Sequence, residues 1–300
     1  MTQHPPAPLS ARGLTLAYDR RTVATDLSVD VGPGSFTVVV GPNACGKSTL
    51  LRALSRLLAP AAGQVLLDGR DIARYRTKEV ARRVGLLPQT SQAPDGITVA
   101  DLVGRGRFPH QGLLSQWSAD DERAVRAALA ATGTTDLSGR LVDELSGGQR
   151  QRVWVAMVLA QQTDLLLLDE PTTFLDVAHQ VELMDLFAAL HAAGRTVVAV
   201  LHDLNQAARY ATHLVAMRGG EVVAQGAPGD VVTADLVRDV FGLDCVVVED
   251  PVSGGPLVVP RGRAWPAPAP GSVAAAQPRS STPICTASSS ASARSSVEDG

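Results

Sequence analysis

Gly41-Pro42-Asn43-Ala44-Cys45-Gly46-Lys47-Ser48-Thr49 follows the β-branched run 37–40 and leads into a helical stretch expected over 48–58. Strand, glycine-rich turn and helix, in that order, are the setting in which a phosphate-binding loop works. Successive backbone N–H groups and the positive end of the helix surround an anion there, Lys47 adds a point charge, and the Ser48 hydroxyl is placed to ligate magnesium. Gly41 and Gly46 allow the backbone to close around the phosphates. A glycine-rich turn with no ligand has the same composition; the strand and helix flanking this one favour the phosphate reading.

Working outward, Leu165-Leu166-Leu167-Leu168-Asp169-Glu170-Pro171 is an apolar run that ends in two acids. A run apolar at every position reads as a strand buried on both faces. Its carboxylates then emerge at the strand's carboxyl end, where α/β folds bind ligands. Asp169 would complete a magnesium shell, and Glu170 would polarise the water that attacks a γ-phosphate in line. An acidic pair after a strand is also a common solvated turn, and the loop at 41–49 tips the balance toward chemistry. The run 196–201 reads as a second buried strand, joined to the first by an amphipathic helix over 177–193. From 98 to 159 the pattern turns helical, with an alanine-rich helix over 120–132 and another opening near Gly147.

Leu145-Ser146-Gly147-Gly148-Gln149-Arg150-Gln151-Arg152 resembles the signature motif of ABC-type ATPases. Ser146 reads as an N-cap whose helix aims its first N–H groups, near Gly147 and Gly148, at phosphate. The other motifs of that family occur in order, so the resemblance covers roughly 14–249. It implies an α/β P-loop NTPase core of the RecA-like kind, with an antiparallel β subdomain and an inserted α-helical signature subdomain. It also implies roles for single residues. Tyr18 would stack on adenine, Gln89 would reach magnesium and the attacking water, Asp176 would cross to a partner subunit, and His202 would hydrogen-bond the γ-phosphate and orient the water held by Glu170. The nucleotide site so implied comprises Tyr18, Gly41, Pro42, Asn43, Ala44, Cys45, Gly46, Lys47, Ser48, Thr49, Gln89, Ser146, Gly147, Gly148, Gln149, Asp169, Asp176 and His202. Glu170, His202, Lys47 and Gln89 would be catalytic, and Ser48, Gln89 and Asp169 would hold magnesium. Ala44 departs from the glycine or serine that many members carry at that position.

The resemblance further implies a head-to-tail dimer with ATP and Mg2+ between Lys47 of one copy and Ser146 of the other. Separate permease subunits would dock around Gln89 and 104–117, and an extracytoplasmic chelate-binding protein would act indirectly. The stretches Arg105-Gly106-Arg107-Phe108-Pro109-His110-Gln111-Gly112, Gln116-Trp117 and 171–180 are similar to the ferric-siderophore importer ATPases, with vitamin B12 and haem importers as close alternatives. A soluble non-transport ABC ATPase fits less well, since such proteins usually carry two nucleotide domains or a long coiled-coil insertion.

The whole chain sets outer bounds. Its 300 residues are 45% hydrophobic, enough for a sizeable core. No apolar run approaches the roughly 18 residues of a membrane span, and the proline-rich start lacks a secretory signal, which leads to the expectation of a protein at the cytoplasmic face of the membrane. A net charge of -3 gives no basic excess for nucleic acid. Cys45, Cys245 and Cys285 are far apart, without metal-ligand spacing. A thiol inside the phosphate loop, Cys45, is expected to be shielded by bound nucleotide and to inhibit when alkylated. The expected layout is a leader over 1–12 and an ATPase domain over 13–250, with 13–95 and 160–250 as α/β core and 96–159 as helical subdomain. A C-terminal extension over 251–300 is expected to be mostly disordered beyond 260, where Pro, Ala, Ser and Thr dominate.

Overall fold

The computed structural model describes residues 8–19, 21–89, 92–112 and 117–262. The chain opens with a long antiparallel pair, β1 (Leu9–Tyr18) and β2 (Arg21–Val31), followed by β3 (Phe36–Val40) and α1 (Lys47–Leu54). β4 (Ala62–Leu67) returns beside β1, and β5 (Arg70–Asp71) beside β4, to give a four-stranded antiparallel sheet ordered β2-β1-β4-β5. After α2 (Thr77–Ala81) and β6 (Val84–Leu87) come α3 (Val99–Gly104), α4 (Ala119–Ala131) and α5 (Gly147–Ala160), which pack on one another as a helical insertion. The core resumes with β7 (Leu165–Asp169), α6 (Val177–Ala192), β8 (Thr196–Val200), α7 (Leu204–Tyr210), β9 (His213–Arg218) and β10 (Glu221–Gly226). α8 (Pro228–Val231), α9 (Ala234–Phe241) and the hairpin of β11 (Cys245–Glu249) with β12 (Pro256–Pro260) complete the described chain.

The main sheet has six strands in the order β10-β9-β3-β8-β7-β6, parallel except at the β9–β10 edge. Every residue of β3, β7 and β8 is buried, as continuous apolar runs require in a sheet covered on both faces. The strand period of two divides these side chains between two cores. Phe36, Val38, Leu166, Leu168, Val197 and Ala199 join the cluster under the helical insertion, while Val39, Leu165, Leu167, Val198 and Val200 join the cluster shared with the antiparallel sheet and α1.

The insertion is fastened by a buried ion pair, Arg107 Nε to Asp121 Oδ1 at 2.8 Å. Arg107 also donates to Ala160 O and Gln162 Oε1, at 2.8 and 2.9 Å, so the 105–111 segment is tied to the end of α5. The Arg107 guanidinium holds the Asp121 carboxyl below its usual range.

Three boundaries differ from expectation. β1 starts at Leu9, inside the expected leader, because Leu9 and Ala11 are inward-facing positions paired with Val31 and Val29 of β2. α1 ends at Leu54 and not at 58: Arg56 takes a left-handed φ of 65°, and the N–H groups of Arg56 and Leu57 close back on Ala53 O and Arg52 O. At the other end, the β11–β12 hairpin crosses the expected edge at 250. Arg209 of α7 donates to Asp250, and Asn205 exchanges two hydrogen bonds with the backbone of Val258. Residues beyond 262, including Cys285, lie outside the described residues, as does Gln116.

Candidate functional site

The loop between β3 and α1 is shaped by two glycines that no other residue could replace without displacement or strain. A Cβ on Gly41 would sit 2.2 Å from Met217 O, and Gly46, the residue before α1, has φ 104°. Lys47 is buried and donates through Nζ to Gly41 O and Pro42 O, both at 2.8 Å. Its ammonium therefore lies inside the curl of the loop that bears it. Ala44 occupies left-handed backbone, φ 61°, where glycine would be unstrained.

β7 runs parallel to β8 and delivers Asp169 and Glu170 beside this loop. Ser48 Oγ donates to Asp169 Oδ1 at 2.8 Å. Burial pushes the Asp169 carboxyl above its usual range; the Ser48 hydrogen bond opposes that shift and the neighbouring Glu170 charge adds to it. Glu170 has φ 53° and its Oε1 lies 2.6 Å from Nε2 of His202, which follows β8. Sheet order thus brings together groups more than 150 residues apart: the loop leaves β3, the two acids leave β7 and His202 follows β8.

Tyr18, Asn43, Ala44, Gly46, Lys47, Ser48, Thr49, Gln89, Glu170 and His202 line one cavity of about 810 Å³. Arg21, Thr22, Val23 and Gly219 line it too and were not anticipated. Arg21 pairs with Tyr18 across the β1–β2 turn, so a basic residue three positions after an aromatic one was the available signal. Tyr18 is half exposed, and its ring lies under the Arg52 guanidinium at 5.8 Å.

Other expected residues are placed differently. Cys45 is buried in the cluster containing Leu50 and Leu54, and burial raises its thiol pKa despite Lys47 nearby. The fold itself covers this thiol, so the expected shielding by nucleotide has no exposed group to act on. Ser146, Gly147, Gly148, Gln149 and Asp176 do not line the cavity of their own chain. Ser146 caps α5 in a reciprocal box with Gln149: Gln149 N donates to Ser146 Oγ at 3.2 Å and Ser146 N to Gln149 Oε1 at 3.1 Å. Gly147 and Gly148 face Phe174 and Leu175. Asp176 caps α6, accepting from His179 N at 3.0 Å and lying 2.7 Å from His179 Nδ1; these bonds hold its carboxyl below the usual range.

A parallel sheet that ends β3 in a lysine-bearing anion loop and β7 in two acids, interrupted by helices whose last member opens on Ser-Gly-Gly-Gln, defines a P-loop ATPase of the ATP-binding-cassette class. The family model described as "ABC transporter" matches residues 24–173. The chain is 56% identical over 264 residues to the ferric enterobactin transport ATP-binding protein of Escherichia coli (strain K12), covering 88% of this chain and 97% of that one. Among solved structures it is similar to a chain of an inward-facing ABC transporter described as of the metal-chelate type, with TM-score 0.73, 28% identity, and coverage of 85% and 98%. It is also similar to the dimeric post-hydrolysis state of an ATP-binding cassette bound to ADP and Pi, with TM-score 0.66, 25% identity, and coverage of 73% and 98%. The chain belongs to the ABC transporter family, whose ATPases dimerise and couple ATP hydrolysis to translocation. No helix of the described residues is long and apolar enough to cross a membrane.

Proposed function

We propose that this chain energises import of a ferric siderophore or similar iron(III) chelate, working as a head-to-tail pair on permease subunits at the cytoplasmic face of the membrane. An extracytoplasmic chelate-binding protein would supply those permeases. The identity to the ferric enterobactin transport protein, spanning nearly the full length of both chains, supports this reading.

The cavity supports the chemistry. The Lys47 ammonium, now held by Gly41 O and Pro42 O, can exchange those acceptors for β- and γ-phosphate oxygens, while loop N–H groups and the start of α1 face the same anion. The donor set fits magnesium: a buried carboxylate and a hydroxyl 2.8 Å apart are hard oxygen ligands, and substrate phosphates complete such shells. Ser48 and Asp169, with Gln89 at the cavity wall, would hold the ion, which supplies neutralisation of phosphate charge. Glu170 accepts a proton from water as the water oxygen bonds to the γ-phosphorus and the bond to the β,γ-bridging oxygen breaks, releasing ADP and phosphate. His202, 2.6 Å from Glu170, would orient that carboxylate and hydrogen-bond the γ-phosphate. Tyr18 offers its ring to adenine. Ser146, Gly147, Gly148 and Gln149 would close over the partner's ATP, and Asp176 would cross to the partner's phosphate loop.

The test is iron-chelate uptake by a strain lacking this chain, complemented with either the native chain or Lys47→Ala, with vitamin B12 and haem uptake measured in parallel. Native complementation should restore chelate uptake and Lys47→Ala should not. Restoration of vitamin B12 or haem uptake alone would reassign the cargo.

A further inference from the structure

Between Glu170 and α6, residues 171–176 have no regular structure; two turn contacts, Thr173 N to Glu170 O and Leu175 N to Thr172 O, shape residues 171–175, and Asp176 caps α6. Left-handed backbone at Glu170 and Phe174 brackets the segment. Glutamine side chains hold it from outside. Gln151 Nε2 of α5 donates to Pro171 O at 2.9 Å, and Gln180 Nε2 of α6 donates to Leu175 O at 2.9 Å. Gln206 Nε2 of α7 in turn donates to Gln180 Oε1 at 2.8 Å.

The directions of these bonds follow from chemistry. A carbonyl only accepts, so the Leu175 carbonyl requires the nitrogen end of Gln180, and that leaves its oxygen for Gln206. The Gln206 main chain is fixed as well: Asp203, adjacent to His202, caps α7 by accepting from Asn205 N and Gln206 N at 2.8 and 3.0 Å. Covalent links and hydrogen bonds therefore run from His202 through Asp203, Gln206, Gln180 and Leu175 to Asp176. Gln206 Oε1 is buried without a hydrogen-bond partner among the described residues. An orphaned buried acceptor is a cost, one that a side chain present only to fill space would avoid.

We propose that Gln180 and Gln206 are positioning residues for ATP hydrolysis: their paired amides hold the Leu175 carbonyl, and with it Asp176, in register with the loop that carries His202. Gln151 fixes the other end of the same segment to the helix that begins at Ser146. This inference rests on the reading of His202 and Asp176 as parts of the paired nucleotide sites. A shift of about 1 Å at groups distant from the reacting atoms can lower a rate by as much as about a hundredfold, so a link of this kind has leverage on turnover.

Methionine matches glutamine in length while removing its hydrogen bonds, so the test uses full-length Gln180→Met, Gln206→Met and the double variant, with hydrogen exchange and steady-state ATPase as readouts. Gln206 does not hydrogen-bond residues 171–176, yet Gln206→Met should speed amide exchange there by about threefold or more while leaving β3 unchanged. Gln180→Met should lower kcat about tenfold with the KM for ATP within about twofold, Gln206→Met should lower kcat about threefold, and the double variant should match Gln180→Met, since Gln206 acts through it. Unaltered exchange at 171–176, unchanged kcat, or additive losses that track a lowered Tm would each overturn the proposal. Glu170→Gln and His202→Ala are assayed alongside. If these lose turnover while Gln180→Met does not, the link alone fails; if they keep it, the site assignment fails and the exchange result decides the link.

Discussion

At the phosphate loop Lys47 meets two carbonyls, Ser48 meets Asp169, and Glu170 meets His202, all within one chain. At the start of α5, by contrast, the Ser146 hydroxyl meets only its own helix, and nearby Phe174 and Val177 stand 76% exposed. The first region is a cavity with its polar groups already engaged. The second presents a helix N-terminus beside Phe174 and Val177, apolar side chains that the described residues leave largely uncovered. Under the proposed head-to-tail pairing the two regions would be unlike halves of one site, so changes in the first should strike chemistry and changes in the second should strike pairing.

The largest effect is expected from Glu170→Gln. It keeps the shape of the side chain beside His202 but removes the base, so ATPase turnover should fall by about 10²–10⁴-fold while ATP still binds and a nucleotide-bound dimer accumulates on size-exclusion chromatography. Unchanged turnover would show that the Glu170–His202 pair is not where water is activated. Ser146→Ala comes next. Loss of the N-cap should cost about 1 kcal/mol of helix stability. Loss of a hydrogen bond to a charged phosphate should lower hydrolysis by roughly tenfold or more. Because Ser146 lies outside the cavity of its own chain, ATP binding to the isolated chain should stay within about twofold of native. Equal losses in binding and hydrolysis would erase the distinction between the two regions.

How much of this was legible in the sequence follows from how far each feature depends on distant pairing. The phosphate loop and the Leu165–Leu168 run are local patterns, and their strands are buried at every residue. Ser146 was legible as a helix cap because capping is decided within a few residues. Arg21 had a local signal in its spacing from Tyr18, whereas Thr22, Val23 and Gly219 were not legible, since they reach the cavity through the β1–β2 and β9–β10 pairings. The orientation of Cys45 was missed for a different reason. The motif fixes the position of its backbone, but whether the thiol faces phosphate or core depends on packing against α1 and the antiparallel sheet. Likewise the hairpin at 245–260 is held by Arg209 and Asn205, partners that composition does not reveal.

The smallest effect gives the cleanest comparison, because each region has a residue other than the catalytic acid in left-handed backbone: Ala44 at φ 61° in the first, beside Glu170 at φ 53°, and Phe174 at φ 69° in the second. That conformation costs an L-residue about 1–2 kcal/mol, of which glycine returns about 0.5–1 through its greater chain entropy when unfolded. Ala44→Gly should therefore stabilise the isolated chain by about 0.5–1 kcal/mol, a rise in Tm of roughly 1–4 °C at this size. Phe174→Gly should give a similar gain, since a side chain 76% exposed loses little burial in the isolated chain. The two should diverge once pairs form. In the nucleotide-bound dimer of Glu170→Gln, a phenylalanine covered by the partner contributes about 1.5–3 kcal/mol and each pair holds two of them, so Phe174→Gly should raise the dissociation constant by roughly a hundred- to ten-thousandfold while Ala44→Gly leaves it unchanged. Thermal unfolding of each variant with sedimentation of each ATP-bound pair measures both quantities. If Phe174→Gly pairs as tightly as the native residue, the exposed tip is not the surface that a second copy covers.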